Sequence, residues 1–314
     1  MTTSRDVARA HAGLLLWAGL VGLSFPVVGL LTPGLPPLLL TAIRFCIAAL
    51  GIWPLVRGQS ALRPSRAGAW LYAAMGLCLT GFFGAMFWAA HRITAVSMAT
   101  LFVSVPLLAY LLGLAWRVER LAWRLPAILV VGALGALGLA WAEAGGSWRG
   151  VAFGTGEAVF FLGCVASALY PVLSKWGLEK GWLAASAGVR TFWSLLLGGG
   201  LIGLVGLLRG GAPALASLGA MDAAILIYLG LFSSALTFWL QQRATAVLTP
   251  GAVTAYGYLV PFVSMLVLFV RQPGAMGREW LPGSLLVLVA IAALLRRDAR
   301  ARRASVATDA AGRR

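Results

Sequence analysis

The sequence predicts an all-α membrane protein of ten transmembrane helices, arranged as two inverted five-helix repeats. Three observations carry that expectation: an apolar composition, ten apolar runs long enough to cross a bilayer, and an ordered set of matches between the two halves. The chain has 314 residues, of which 61% are hydrophobic and 11% charged, with a mean hydropathy of +0.90. Water-soluble domains carry about 25% charged residues, and a soluble fold of this size has no place to hide so much apolar surface. Lipid does, because it replaces water as the solvent for the outward faces.

A span needs about 20 apolar residues. Reading for such runs gives segments at about 11–31, 37–56, 67–90, 95–116, 124–142, 150–174, 182–208, 222–242, 248–270 and 280–296. The third and fourth runs are divided only by His91 and Arg92, and the eighth and ninth by Gln241, Gln242 and Arg243. The first run is too long for a signal-peptide core and lacks a small-residue cleavage site, so it is expected to remain as a span. The chain therefore reads as a short segment at 1–10, a first repeat at 11–142, a second at 150–296 and a basic tail at 297–314.

The formal charge of +16 does not point to nucleic acid, because the cations fall in gaps between apolar runs instead of forming a wet basic face. They order the topology. Short cytoplasmic segments hold excess Lys and Arg; with the N-terminus inside, the outer side receives only Arg92, Arg149, Arg209, Arg271 and Arg278, and most of the remainder fall inside. Both termini are thus expected to be cytoplasmic, in the inner or plasma membrane. The Arg-rich tail from Arg296 reads as a disordered anchor on anionic lipid headgroups. Trp53, Trp70, Trp116, Trp123, Trp141, Trp148, Trp182 and Trp280 lie near span ends, as interfacial indoles do. Cys46, Cys78 and Cys164 each sit within an apolar run without metal or disulfide spacing, so they are expected as small core residues.

The halves align in order. Phe25-Pro26 matches Tyr170-Pro171, Ile43-Arg44 matches Val189-Arg190, and Gly76-Leu77 matches Gly230-Leu231. Thr94 matches Thr249, Pro106 matches Pro261, and Leu125-Pro126 matches Leu281-Pro282. The offset grows steadily along the chain, as small insertions require. Five spans is an odd number, so the second half enters the membrane with the opposite orientation.

In this pattern the chain resembles the EamA-type transporters of the drug/metabolite transporter superfamily over about residues 11 to 296. The resemblance is carried by WAGLVGLSF from Trp17, AIRF at Arg44, the TAVSMATLFVSVP stretch ending at Pro106, the acidic turn Val118-Glu119-Arg120, and LTPGAVTAYGYLVP ending at Pro261. Where the family carries an acidic turn after the ninth span, this chain has Arg271-Gln272-Pro273-Gly274. The resemblance implies secondary transport by alternating access, with a cavity between spans one, three, four, six, eight and nine. Its substrates would be amino acids, sugars, amines or related metabolites; export of amino acids or related compounds is the expectation adopted.

Glu157 falls roughly two turns into the predicted sixth span, where an ionisable group costs roughly 2.5–3.5 kcal/mol. At helical spacing it shares a face with Phe161, Cys164 and Ala168. There it either binds a substrate ammonium or a coupling proton, or stays hydrated or pairs with Arg44. Arg44 and Arg190 lie within spans and must face protein or water. Either one grips a substrate carboxylate, or both satisfy backbone carbonyls; the repeated position favours the second reading. Pro26, Pro106, Pro171 and Pro261 are paired candidates for hinges or kinks. Trp17, Phe25, Phe83, Trp88, Phe161, Tyr170, Trp239 and Tyr256 are candidates to line an aromatic cavity, alongside the alternative of ordinary packing. Gln241 and Gln242 read as interfacial. Gly132, Gly135 and Gly138, with Gly198, Gly199, Gly200 and Gly203, suit close helix contact within the chain or at a dimer face.

An intramembrane enzyme is the main rival class. The chain has only His11 and His91, no H-E-x-x-H or G-x-S-x-G pattern, and two lysines, Lys175 and Lys180, that no glycine-rich loop precedes. A channel or scaffold is the other rival. The expectation is therefore no catalysis, no metal and no cofactor. The partners are a small-molecule solute and the lipid bilayer, with a monomer or homodimer as the assembly.

Overall fold

The computed structural model describes residues 4–146, 154–271 and 277–311. Among them, ten helical segments are long and apolar enough to cross a membrane, and there is no strand. Helices are what a bilayer admits, because each backbone N–H and C=O is satisfied within its own segment. The first three spans are Ser4–Val28, Pro37–Val56 and Arg66–Ala89. The fourth is built from Ala95–Phe102 and Val105–Ala115, and the fifth is Arg124–Glu143. The sixth is Thr155–Glu179 and the seventh Ala187–Leu208. The eighth comprises Ala220–Gly230, a π-helical turn Leu231–Leu236 and Thr237–Val247. The ninth comprises Pro250–Thr254, a 3-10 turn Ala255–Tyr258 and Leu259–Arg271, and the tenth is Trp280–Ala311.

The matched residues take matched places. Thr94 and Thr249 both stand in extended conformation just before the fourth and ninth spans, and Thr94 Oγ1 accepts the Ser97 N–H as a cap while Thr249 makes no such bond. Pro126 and Pro282 are each the third residue of their helix, where proline's missing N–H leaves no bond unmade. Helix packing follows the same exchange. The second span packs on the seventh, the fourth on the ninth and the fifth on the tenth, each on its own counterpart. The third packs on the sixth and seventh as the eighth packs on the first and second. The sixth contacts the fourth as the first contacts the ninth.

The two halves do not form separate cores. One core draws on spans one, four, five, nine and ten, through Leu14, Leu129, Tyr256, Val287 and their neighbours. A second draws on spans two, three, six and seven, through Phe45, Met75, Tyr170 and Leu195. Glycines let these helices approach. A Cβ at Gly135 would lie 2.7 Å from the Val287 nitrogen, and one at Gly283 would lie 2.7 Å from the Leu139 nitrogen, so the fifth and tenth spans touch backbone to backbone. Gly198 and Gly199 serve the seventh span similarly against Leu79 and Phe45, while Gly200 faces open space. Van der Waals contact of this kind drives association where lipid removes the hydrophobic difference between partners.

Several boundaries differ from the sequence reading. The first helix begins at Ser4 and ends at Val28, and the turn between the eighth and ninth spans falls at Leu248 and Thr249, beyond Gln241 and Gln242. Helical backbone bonding continues past the apolar run in both cases, and hydropathy does not report it. The tail is not a disordered strand of basic residues: the tenth helix continues to Ala311. Trp280, read as interfacial, is buried in the first core, whereas Trp70 and Trp123 are exposed as expected. Trp148, Arg149, Gln272-Pro273-Gly274, Arg313 and Arg314 lie outside the described residues, as does the start of the sixth run at 150–153.

Gly135→Leu should force the fifth and tenth spans apart and destabilise the protein by ~1–3 kcal/mol or more. Gly200→Ala, with no atom nearby, should leave thermal melting in detergent unchanged. Equal melting temperatures for the two variants would contradict this packing.

Candidate functional site

Arg190 is fully buried and its guanidinium is nearly saturated. Nε donates to Gln242 Oε1 at 3.0 Å, Nη1 to the Ala184 and Ala185 carbonyls at 2.6 and 2.8 Å, and Nη2 to the Gln242 carbonyl at 2.6 Å. Gln242, also fully buried, accepts from Ser174 Oγ at 2.6 Å and donates from Nε2 to the Tyr170 hydroxyl at 2.8 Å. Tyr170 in turn lies 2.9 Å from Ser194 Oγ. The network ties spans six, seven and eight with neutral acceptors only. A cleft of about 310 Å³ opens beside it, between Asp6 of the first span, Ala185–Gly188, and Trp239 and Arg243 of the eighth.

Arg44, its sequence counterpart, is held differently. Nη2 donates to Ser234 Oγ at 3.0 Å, and the buried Nε has no partner. Ser234 belongs to the π-helical turn, a distortion frequent at functional sites. Above it, Asp222 clips the eighth span to the loop after the first: its two carboxylate oxygens accept from Thr32 N and Thr32 Oγ1, each at 2.8 Å, and from Gly219 N at 3.0 Å.

The fourth and ninth spans are interrupted at corresponding places. The fourth breaks at Val103–Ser104, just before Pro106; the ninth tightens into the 3-10 turn Ala255–Tyr258, just before Pro261. Buried hydroxyls without partners lie beside both breaks, Thr100 Oγ1 and Tyr258 OH. Aromatic rings crowd the adjoining third span. Phe82 meets Phe83, Phe102 and Phe160 at centroid separations of 5.2, 5.8 and 6.5 Å, and Phe83 meets Phe45 at 5.3 Å.

Two further polar contacts brace the first core. His11 Nδ1 lies 2.7 Å from the Tyr256 hydroxyl and its Nε2 lies 3.2 Å from Asp298, joining spans one, nine and ten. Glu119, in the turn between spans four and five, is buried and accepts the Gly251 N–H at 3.2 Å, at the start of the ninth span. Burial raises its pKa above the ordinary value of 4.5, outweighing the hydrogen bonds that favour its charged form.

The sequence candidates are dispersed. Tyr170 joins the Arg190 network; Trp239 lines the cleft beneath Arg243, 5.4 Å from its ring; Trp88 lies under Arg92 at 4.1 Å. Phe83 sits in the aromatic group, Trp17 and Tyr256 pack in the first core, and Phe161 is half-buried. Phe25 is 58% exposed and lines nothing. These residues therefore do not converge on one aromatic pocket. Pro106 and Pro261 follow helix breaks, whereas Pro171 sits inside a continuous helix and Pro26 near the end of one. Glu157 is not two turns deep: it stands in the first turn of the sixth helix and accepts the Gly154 N–H at 3.0 Å, a capping position. Gln242 is not interfacial but the centre of the buried network. A buried arginine with no acid in reach was the signal that a neutral acceptor had to be close.

Residues 9–141 match the model of the EamA-like transporter family. That bears out the resemblance read from the sequence, and the EamA-like segment coincides with the first five spans. A solved structure titled only "Crystal structure of protein" superimposes with a TM-score of 0.74 at 22% identity, covering 95% of this chain and 99% of that one. At that identity it establishes the fold, over nearly the whole of both chains. No curated protein matches the chain significantly.

Arg190→Met should leave the carbonyls of Ala184, Ala185 and Gln242 unsatisfied and lower stability by about 3 kcal/mol or more, read as a large drop in melting temperature. Glu119 gives a second check. Because its folded-state pKa is raised, its contribution is full below the ordinary carboxylate range and is lost as pH rises through the folded value. The wild type should lose melting temperature between acidic and neutral pH, and Glu119→Gln, which keeps an acceptor for Gly251, should lose less.

Proposed function

We propose that the protein is a secondary transporter that moves small metabolites across the cell membrane by alternating access, with export of amino acids or related compounds as its activity. The observation that carries this reading is the pair of interruptions in spans four and nine. Non-helical backbone at membrane depth is tolerated only where protein buries it or a cavity uses it. Broken helices at corresponding positions of two repeats are the usual construction of a solute site near the bilayer centre. The partnerless hydroxyls of Thr100 and Tyr258 lie at these breaks, and a polar group left unpaired in an apolar setting wants a ligand or water.

In this proposal the repeats are inverted and both termini face the cytoplasm, as the distribution of arginines supports. The two cores move relative to each other about the broken helices. The cleft bordered by Asp6, Ala185 and Trp239 lies between an element of the first core and elements of the second, where such a movement would open a path. All three residues fall on the side assigned to the cytoplasm.

Purified protein in proteoliposomes should show saturable amino-acid uptake that is accelerated by the same solute trapped inside. A conductance that never saturates would identify a channel, and absence of flux across amino acids, amines and sugars would remove the carrier reading. Tyr258→Phe should lower flux about two- to tenfold, the worth of one hydrogen bond to solute, without lowering the melting temperature.

A further inference from the structure

We propose that Arg44, together with Ser234 of the π-helical turn, binds the carboxylate of an organic anion with an apolar body. The proposal rests on the transport reading and names its substrate class.

The starting point is the contrast between the two arginines. Arg190 places Nε, Nη1 and Nη2 on four oxygen contacts. Arg44 has one contact, to Ser234 Oγ, and an orphaned buried Nε–H. Among the described residues the ion pairs are His11–Asp298 and Arg297–Asp298, so no carboxylate lies within pairing distance of Arg44. An uncompensated cation inside a membrane protein faces either water or a ligand of opposite charge. The hydrogen bond from Nη2 to Ser234 Oγ turns the Arg44 side chain toward the eighth span.

The chemistry of the locus consists of donors. Ser234 Oγ accepts from Arg44, and no described acceptor takes its proton. The free guanidinium N–H groups and the Ser234 O–H therefore converge without an acceptor among them. A carboxylate, which only accepts and suits a planar guanidinium fork, is the complementary group. The wall beside it is apolar: Phe45 meets Phe83 and Phe238 edge-on at 5.3 and 5.9 Å.

The repeat explains why this arginine is left open. Gly230 minus Gly76 gives an offset of 154, and Thr249 minus Thr94 gives 155, so the stretch from glycine to threonine, helix and following turn together, holds one residue more in the second half than in the first. A π-helical turn is how a helix absorbs one extra residue, and that turn, Leu231–Leu236, is the element facing Arg44. Beyond it, the offset of 155 takes Gln242, which locks Arg190, to Phe87. A phenyl ring supplies no acceptor, so the lock is absent on the Arg44 side.

The test uses full-length protein in detergent and three probes: phenylacetate, L-phenylalanine and phenethylamine, with dissociation constants read by thermal shift. Phenylacetate and L-phenylalanine should bind and phenethylamine should not. Arg44→Gln should weaken the two carboxylates at least about tenfold, and Arg44→Lys should recover part of the loss. Phenethylamine binding as tightly as phenylacetate, no binding of any probe, or unchanged carboxylate binding in Arg44→Gln would each overturn the proposal. The comparison of probes on the wild type stands even if the variant does not fold. Carboxylate binding without counterflow would sink the transport reading and leave this one; counterflow confined to amines would do the reverse.

Discussion

Polar groups in this protein lie in a solvent that offers them no hydrogen bonds, so each must find its partner inside the chain. That constraint makes the ten segments helical and places serine and threonine hydroxyls on carbonyls one turn back, as with Thr41 on Pro37 and Thr191 on Ala187. It also decides how a buried arginine is tolerated. Arg190 is tolerated because Gln242 turns both its side-chain oxygen and its backbone carbonyl toward the guanidinium, while Ala184 and Ala185 close the other side. Seen this way, the few groups that fail the constraint are more informative than the many that meet it. Arg44 Nε, Thr100 Oγ1 and Tyr258 OH are among those that fail it, and these three lie at or near departures from regular helix.

The arrangement of cores bears on how such a protein could move. Two halves joined in sequence would rock as halves only if each had its own interior. Here the first core binds spans one, four and five to nine and ten, and the His11–Tyr256–Asp298 contacts and the Gly135–Val287 approach both lie within it. The second binds two and three to six and seven. Each contains members of both repeats, so sequence halves and mechanical units differ. The interrupted fourth and ninth spans both belong to the first core, and they are the places where backbone bonding is already loosened and a change of angle disturbs the fewest hydrogen bonds.

The spans were legible in the sequence because lipid enforces length and apolarity, and the repeat was legible because Pro106 and Pro261, like Thr94 and Thr249, keep their spacing, even though Thr94 caps its helix and Thr249 does not. Helix ends were less legible. Gln241 and Gln242 look like the edge of a span to any measure of hydropathy, yet the helix carries Gln242 into the interior because Arg190 waits there. Glu157 misled for the opposite reason: apolar residues on both sides gave it apparent depth, whereas its carboxylate caps a helix that starts at Thr155. The aromatic candidates failed as a set because span membership fixes depth but not facing. Phe25 and Phe83 are equally apolar in sequence, and only the neighbouring helices decide that one is exposed and the other packed.

The symmetry of the repeat and its violation do different work. In the transport cycle proposed for this protein, a doubled feature such as the Thr94 and Thr249 turns, or the two broken helices, would serve the exchange of inward and outward shapes, which a two-fold relation makes similar in energy. A solute is not symmetric, so its anchor should be a feature that occurs once. The π turn is such a feature: it interrupts the eighth span while the third runs as one continuous α-helix, and it brings Ser234 to Arg44 where the Arg190 side has its full set of partners. Insertion in the middle of an apolar helix strains its bonding, and the strain is retained only if surrounding contacts favour it. Phe232 is exposed on that turn while Ser233, Ser234 and Ala235 are buried, so the turn directs small and polar groups inward. For the proposed carboxylate site, the place where the halves cease to match is thereby the place where chemistry specific to one solute would act.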